Sequence, residues 1–207
     1  MNAVATPVTV HRPLAAEEAA RADFYALLSR LFQAAPDGSL LHALANAEPL
    51  AAGGDGRLSR AWQDLVDAST AMDEEAALDE YDALFGSVGR SPVSLYAGFY
   101  AGAMAVDHPR VRIRADLAGL GLTPHVDEPE DFFPGLFDAM RVLIAGGAGR
   151  GPAMLQEQRR FFQSHLAPAW PGLVEAANAA PKANYYRRVA ALAAAFLAIE
   201  TESFELD

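Results

Sequence analysis

The sequence predicts an all-α fold, and three observations carry that prediction. Leu and Ala dominate a composition that is 52% hydrophobic, and both residues favour helices. Apolar residues recur at three- and four-residue spacing in most segments. No segment shows the sustained alternation of apolar and polar β-formers that a half-buried strand requires. A chain of 207 residues suits one sizeable domain. The expected architecture is a single globular domain of about eight to eleven modest helices. Residues 1–15, with Pro7 and Pro13, are expected to form a flexible arm, and 16–207 the helical domain.

The elements follow in order. A first helix is expected from Glu17 to Ala35, with Phe24, Leu27, Leu28, Leu31 and Phe32 on one face. Pro36, Asp37 and Gly38 end it. A short helix covers Leu40 to Ala47, and EPLAAGGDG reads as a loop. Helices are expected at Leu58–Ser69 and Asp73–Phe85, the second placing Leu78, Tyr81 and Phe85 together. Pro92 is read as opening a further helix through Met104. His108 and Pro109 enter another over Arg110 to Leu120, which Gly121 ends.

A helix around Leu136, Phe137, Met140, Leu143 and Ile144 follows an acidic loop. GGAGRG then interrupts. Leu155, Phe162 and Leu166 mark one helix, Leu173 and Val174 another. The last begins near Ala183 and buries Val189, Leu192, Phe196 and Leu197.

Composition excludes several functions. There is no cysteine, so disulfides, thiol catalysis and zinc–cysteine sites are out. Acidic residues outnumber basic ones 27 to 16, a formal charge of −11. That disfavours nucleic acid and anionic lipid and tolerates a basic peptide or protein. No stretch approaches 18 apolar residues, so stable membrane insertion is not expected. The N-terminus lacks the basic start and apolar run of a secretory signal, which favours the cytoplasm.

A search for catalytic chemistry finds little. None of His11, His42, His108, His125 and His165 lies three residues after a glutamate, so the Glu-x-x-His unit of di-iron bundles is missing. HExxH and GxSxG are absent. GGAGRG follows a helix pattern and lacks the Gly-Lys-Ser/Thr ending of a phosphate loop, so it reads as a flexible connection. Arg150 within it is open to an anion. Asp79, Glu80 and Asp82 read as a solvated helix face. No cofactor, metal or catalytic residue is expected.

The stretch EPEDFF, Glu128 to Phe133, has two structural readings. Asp131 caps a helix with Pro134 in its first turn. Alternatively Pro129 opens the helix, with Glu130 and Asp131 at its positive end.

Together, ADFYALLSRLFQAAPD, DEYDALFGSVGRSPVSLY, VRIRADLAGLGL, EPEDFFPGLFDAMRVLI, FFQSHLAPAWPGLVEAA and NYYRRVAALAAAFLAIE resemble, in order and spacing, the TorD/DmsD/NarJ family of redox-enzyme maturation chaperones. The resemblance spans Ala22 to Glu200. It implies a cytoplasmic, all-helical, TorD-like protein that is not an enzyme. Such proteins bind the apo catalytic subunit of a molybdenum oxidoreductase before its cofactor is installed. Many also bind its twin-arginine leader and delay export. A monomer is implied, with a dimer as the alternative.

The family's Glu-Pro-x-Asp-His motif is matched by Glu128, Pro129 and Asp131, while Phe132 takes the histidine position. A second segment, Pro then Glu-Ser and an aromatic, is matched by Pro92, Ser94 and Tyr96, with Val93 for the glutamate. The resemblance places client recognition at Glu128, Pro129, Asp131, Phe132, Tyr96 and Pro92. Glu128, Glu130 and Asp131 suit an incoming arginine. Phe132, Phe133 and Tyr96 suit an apolar run. An all-helical adaptor without a redox client, or a small helical enzyme, are the alternatives.

Overall fold

The computed structural model describes residues 14–50, 56–86, 91–101, 109–122, 128–147 and 149–206. The expected arm falls almost wholly outside them, as do His11, His108 and His125. Ten α-helices and no strand occur among the described residues. They are α1 (Ala16–Gln33), α2 (Gly38–Ala45), α3 (Gly56–Ala71), α4 (Glu74–Phe85) and α5 (Ala97–Tyr100). Then come α6 (Pro109–Gly119), α7 (Phe133–Ala145), α8 (Leu155–Phe161), α9 (Trp170–Ala179) and α10 (Tyr185–Leu206). A π-helical turn, Phe162–Leu166, continues α8.

Helix α1 lies along α7, while α10 packs on α3 and α9. The stripe α1 buries is Ala22, Tyr25, Leu28, Leu31 and Phe32. It is rotated from the expected face: Phe24 and Leu27 are only partly buried, and Tyr25 is fully so. Aromatic rings join the layers. Phe32 meets Phe137 of α7 at 6.1 Å, and Tyr25 meets Phe196 of α10 edge-on at 4.9 Å. Offset and edge-on pairs of this kind add to simple area burial.

The end of α1 shows why the helix stops without a C-terminal glycine. Its last carbonyls need partners. Tyr186 of α10 donates its hydroxyl to the Leu31 carbonyl at 3.0 Å, and Tyr81 of α4 donates to those of Phe32 and Gln33 at 3.0 Å. Burial pushes the Tyr81 hydroxyl pKa up to about 12, so it remains a donor across the physiological range. Asp37 lies past the end of α1, as expected, and also begins α2 by accepting from the Leu40 amide at 2.9 Å.

Two expectations are corrected, for Pro92 and Glu80, and two others gain detail. Pro92 opens no helix: the backbone around it is non-helical, and α5 begins only at Ala97. The Val93 amide is drawn to the Leu84 carbonyl at 3.2 Å, holding this segment against the end of α4. Leu78 shares the face of Tyr81 and Phe85 as expected, but that face is at most half-buried: Leu78 is exposed, and α4 buries Ala77 and Leu84. GGAGRG does connect α7 to α8, and backbone bonds join its Gly147 and Arg150. Gly146 has φ +81°, and a Cβ there would sit 2.8 Å from the Arg150 carbonyl oxygen, so glycine is required. The Arg150 side chain donates to the Leu120 carbonyl.

The second correction concerns Glu80. Asp79 and Asp82 are exposed as expected, but Glu80 reaches the start of α10. Its carboxylate accepts from the amides of Asn184, Tyr185 and Tyr186 at 2.7, 3.0 and 2.8 Å. These are the unpartnered donors at a helix N-terminus, and the negative charge also suits the helix dipole. Glu80→Ala is therefore expected to cost about 1–2 kcal/mol, the range for losing a good N-cap. An unchanged urea midpoint would show that water replaces the carboxylate without loss.

Candidate functional site

The Glu128–Phe132 turn is built by its own backbone and by the segment before α5. The Phe132 amide bonds the Pro129 carbonyl at 3.0 Å, closing the turn. The Ala97 amide then bonds the Asp131 carbonyl at 2.7 Å, and the Phe133 amide bonds the Leu95 carbonyl at 2.9 Å. Tyr96 and Phe132 thus pair as an isolated antiparallel bridge. Their rings meet at 5.7 Å. The two segments that carry the family resemblance are direct neighbours.

Neither capping expectation holds. Helix α7 starts at Phe133, its cap residue is Phe132, and no side chain caps it. Pro134 does lie in the first turn, where no amide donor is needed. The Asp131 carboxylate points to a different helix. One oxygen accepts from the Gly98 amide of α5 at 3.3 Å, and the other from Arg110 Nε of α6 at 2.7 Å. Asp131 is only 3% exposed. Gly98 must be glycine for this seat, since a Cβ there would lie 2.7 Å from the Asp131 oxygen.

The other residues of the turn reach outward. Glu128 accepts from Gln33 of α1 at 2.7 Å, and Glu130 pairs with Arg114 of α6. A bond from its own backbone amide, with Arg114 beside it, holds the Glu130 carboxyl below its ordinary range despite some desolvation. The Arg110 guanidinium lies 5.8 Å from the Tyr96 ring centre, a cation–π distance.

Two grooves adjoin the turn. The larger, about 530 Å³, takes Glu128, Pro129 and Glu130 from it and is also lined by α1, α6 and α7. Leu117, Leu122, Pro134 and Val142 give this cleft apolar surface, and Asp138 adds a third carboxylate. The second, about 390 Å³, is lined by the aromatic rings of Tyr81, Phe85, Tyr96, Phe99 and Phe132. Tyr96 is 39% and Phe99 59% exposed.

The sequence-identified residues therefore fall into distinct environments. Glu128, Pro129, Phe132 and Tyr96 line the grooves, and Pro92 is exposed beside the second. Asp131 is buried and already paired. Phe133, expected among the client contacts, is wholly buried in the core. Val93 is also buried, so the family's glutamate is replaced here by a core residue. Arg110, Arg114 and Gln33 were missed because their partners lie 16 to 95 residues away in sequence. Only the repeated Arg spacing in RVRIR, residues 110–114, hinted at the two arginines, and nothing local signalled Gln33.

Elsewhere, His165 is buried on the π-helical turn and hydrogen-bonds Asp116 of α6 at 2.8 Å. Burial pushes its pKa down, outweighing the opposing pull of Asp116, so a neutral imidazole donating to the carboxylate fits the geometry. Arg160 holds the other Asp116 oxygen at 2.8 Å. Among the described residues no cluster of three or more His, Asp or Glu side chains is placed to hold a metal. No helix among them is long and apolar enough to cross a membrane.

Comparison with curated proteins finds no match. The family model described as nitrate reductase delta subunit matches residues 52–175. That span runs from before α3 to within α9 and contains both grooves' contributions from the turn and the Tyr96 segment. The match covers more than half of the chain, and the chain belongs to the nitrate reductase delta subunit family, a family of molybdoenzyme maturation chaperones.

Proposed function

We propose that the protein is a cytoplasmic chaperone, not an enzyme, that holds the apo catalytic subunit of a molybdenum oxidoreductase. We further assign recognition of the subunit's basic N-terminal leader to the Glu128–Phe132 turn. The observation that carries this is the 530 Å³ cleft, where Glu128, Glu130 and Asp138 adjoin apolar surface. A twin-arginine leader offers the complement, a pair of guanidinium groups followed by an apolar run. Carboxylates take the arginines by charge-assisted hydrogen bonds. Apolar lining takes the run that follows, with Phe132, Tyr96 and Pro92 extending that surface across the turn. Before a peptide arrives, Asp131 fixes the turn against α5 and α6.

The test begins with recovery of the protein's partner from its own host and identification of that subunit. A synthetic peptide of the subunit's N-terminus is then titrated into the protein. Replacing both peptide arginines by glutamine is expected to weaken binding by at least about tenfold, since each charge-assisted bond contributes about 1.5–3 kcal/mol. Glu128→Gln with Asp138→Asn is expected to weaken it similarly. Equal affinity of the two peptides would remove the leader reading, and recovery of no redox-enzyme subunit would remove the client.

A further inference from the structure

We infer that α6 is a built-in competitor for the client, its Arg110 and Arg114 occupying the acidic turn that an incoming arginine pair must reach. This rests on the leader reading above and adds the regulation of that site. The two arginines are four residues apart, hence on one face of α6. Their partners, Asp131 and Glu130, are consecutive residues of the turn. Two guanidinium groups on two adjacent carboxylates is the same chemistry that a twin-arginine segment would offer.

The attachment of α6 is suited to exchange. The residues it buries are Ile113 and Leu117, and polar contacts hold it on two sides. Arg110 and Arg114 grip the turn on one side; Asp116 is held by Arg160 and His165 on the other. The Arg114 side chain is 67% exposed, so its pair contributes little to stability. Asp131 differs, because a buried carboxylate stripped of its cation is costly. It cannot release Arg110 without another donor arriving, so exchange of one guanidinium for another is the natural route. Leu117, one of the two buried anchors of α6, also lines the 530 Å³ cleft. Movement of α6 would therefore alter both the charged and the apolar parts of the site.

The experiment uses the full chain and a synthetic peptide bearing two consecutive arginines followed by an apolar run. Hydrogen exchange is followed along the backbone with and without peptide, and affinity is measured for the wild type, Arg114→Gln and Arg110→Gln/Arg114→Gln. Peptide is expected to speed exchange in α6 while leaving α1 and α10 protected. Removing the internal competitor raises the fraction of open sites, so the double variant is expected to bind about five- to tenfold more tightly. Arg114→Gln alone retains the buried pair and is expected to give a smaller tightening; it serves if the double variant is unfolded. Wild-type binding with α6 equally or better protected, or variants that bind no more tightly, would overturn the inference while leaving the leader reading intact. Binding by the double variant but not the wild type would support it strongly. Binding by neither would defeat the leader reading and this inference with it.

Discussion

Arg21→Ala is expected to destabilise the protein by about 3–5 kcal/mol, the cost of leaving a buried carboxylate without its cation. Arg21 of α1 meets Glu200 of α10 with two parallel bonds, 2.7 Å from Nε and 2.8 Å from a terminal nitrogen. Glu200 is 2% exposed and accepts a third bond, from the Tyr25 hydroxyl at 2.9 Å. Arg21 also bonds Glu18 and lies 5.4 Å from the Phe204 ring centre. Burial, together with the neighbouring Glu200 charge, pushes the Tyr25 pKa well above its ordinary value, so the phenol stays protonated and remains a donor.

The charge is thus satisfied by a surrounding cage rather than by one partner. Removing Arg21 strands the carboxylate. Replacing both charges by apolar residues, Arg21→Met with Glu200→Leu, is expected to recover most of the loss. Urea unfolding of the two variants measures both effects. A loss below about 1 kcal/mol for Arg21→Ala would mean that water reaches Glu200 and the pair behaves as a surface one.

How much of this was legible in the sequence depends on the range of each interaction. The burial of Val189, Leu192, Phe196 and Leu197 in α10 follows from local spacing and holds in the structure. So does α7, whose apolar residues run from Leu136 to Ile144. The segment from Ser91 to Tyr100 was misread because Pro92 is a good first residue for a helix, but distant backbone partners in α4 and the acidic turn hold the chain before Ala97 outside it. Glu80 looked like one of three solvated acids because its partners begin 104 residues away. The same limit hid Arg21 and Glu200, which are 179 residues apart. At the candidate site, resemblance located the turn and Tyr96 together. It could not show that Asp131 is buried or that Arg110 already holds it, because helix periodicity says nothing about which charged faces meet.

The adjacent Phe132 and Phe133 give the sharpest separation between structure and recognition. Phe133 is the first residue of α7 and has no exposed surface. Its ring stacks on Phe137 at 5.8 Å and leans on Tyr100 at 6.2 Å. Phe133→Ala would open a cavity in the layer between α7 and α5, and is expected to cost about 3–5 kcal/mol. Phe132 is only partly buried, against Tyr96 and the second groove. Phe132→Ala is expected to cost about 1 kcal/mol or less in stability, since an exposed face already contacts water. On the client reading it weakens binding of the apolar part of a leader peptide, whereas Phe133→Ala at permissive temperature weakens binding only through the folded fraction. Chemical denaturation and peptide titration of the two variants distinguish these roles. Equal stability losses would make Phe132 a core residue, and the exchange of the family's histidine for phenylalanine would then concern packing rather than the client.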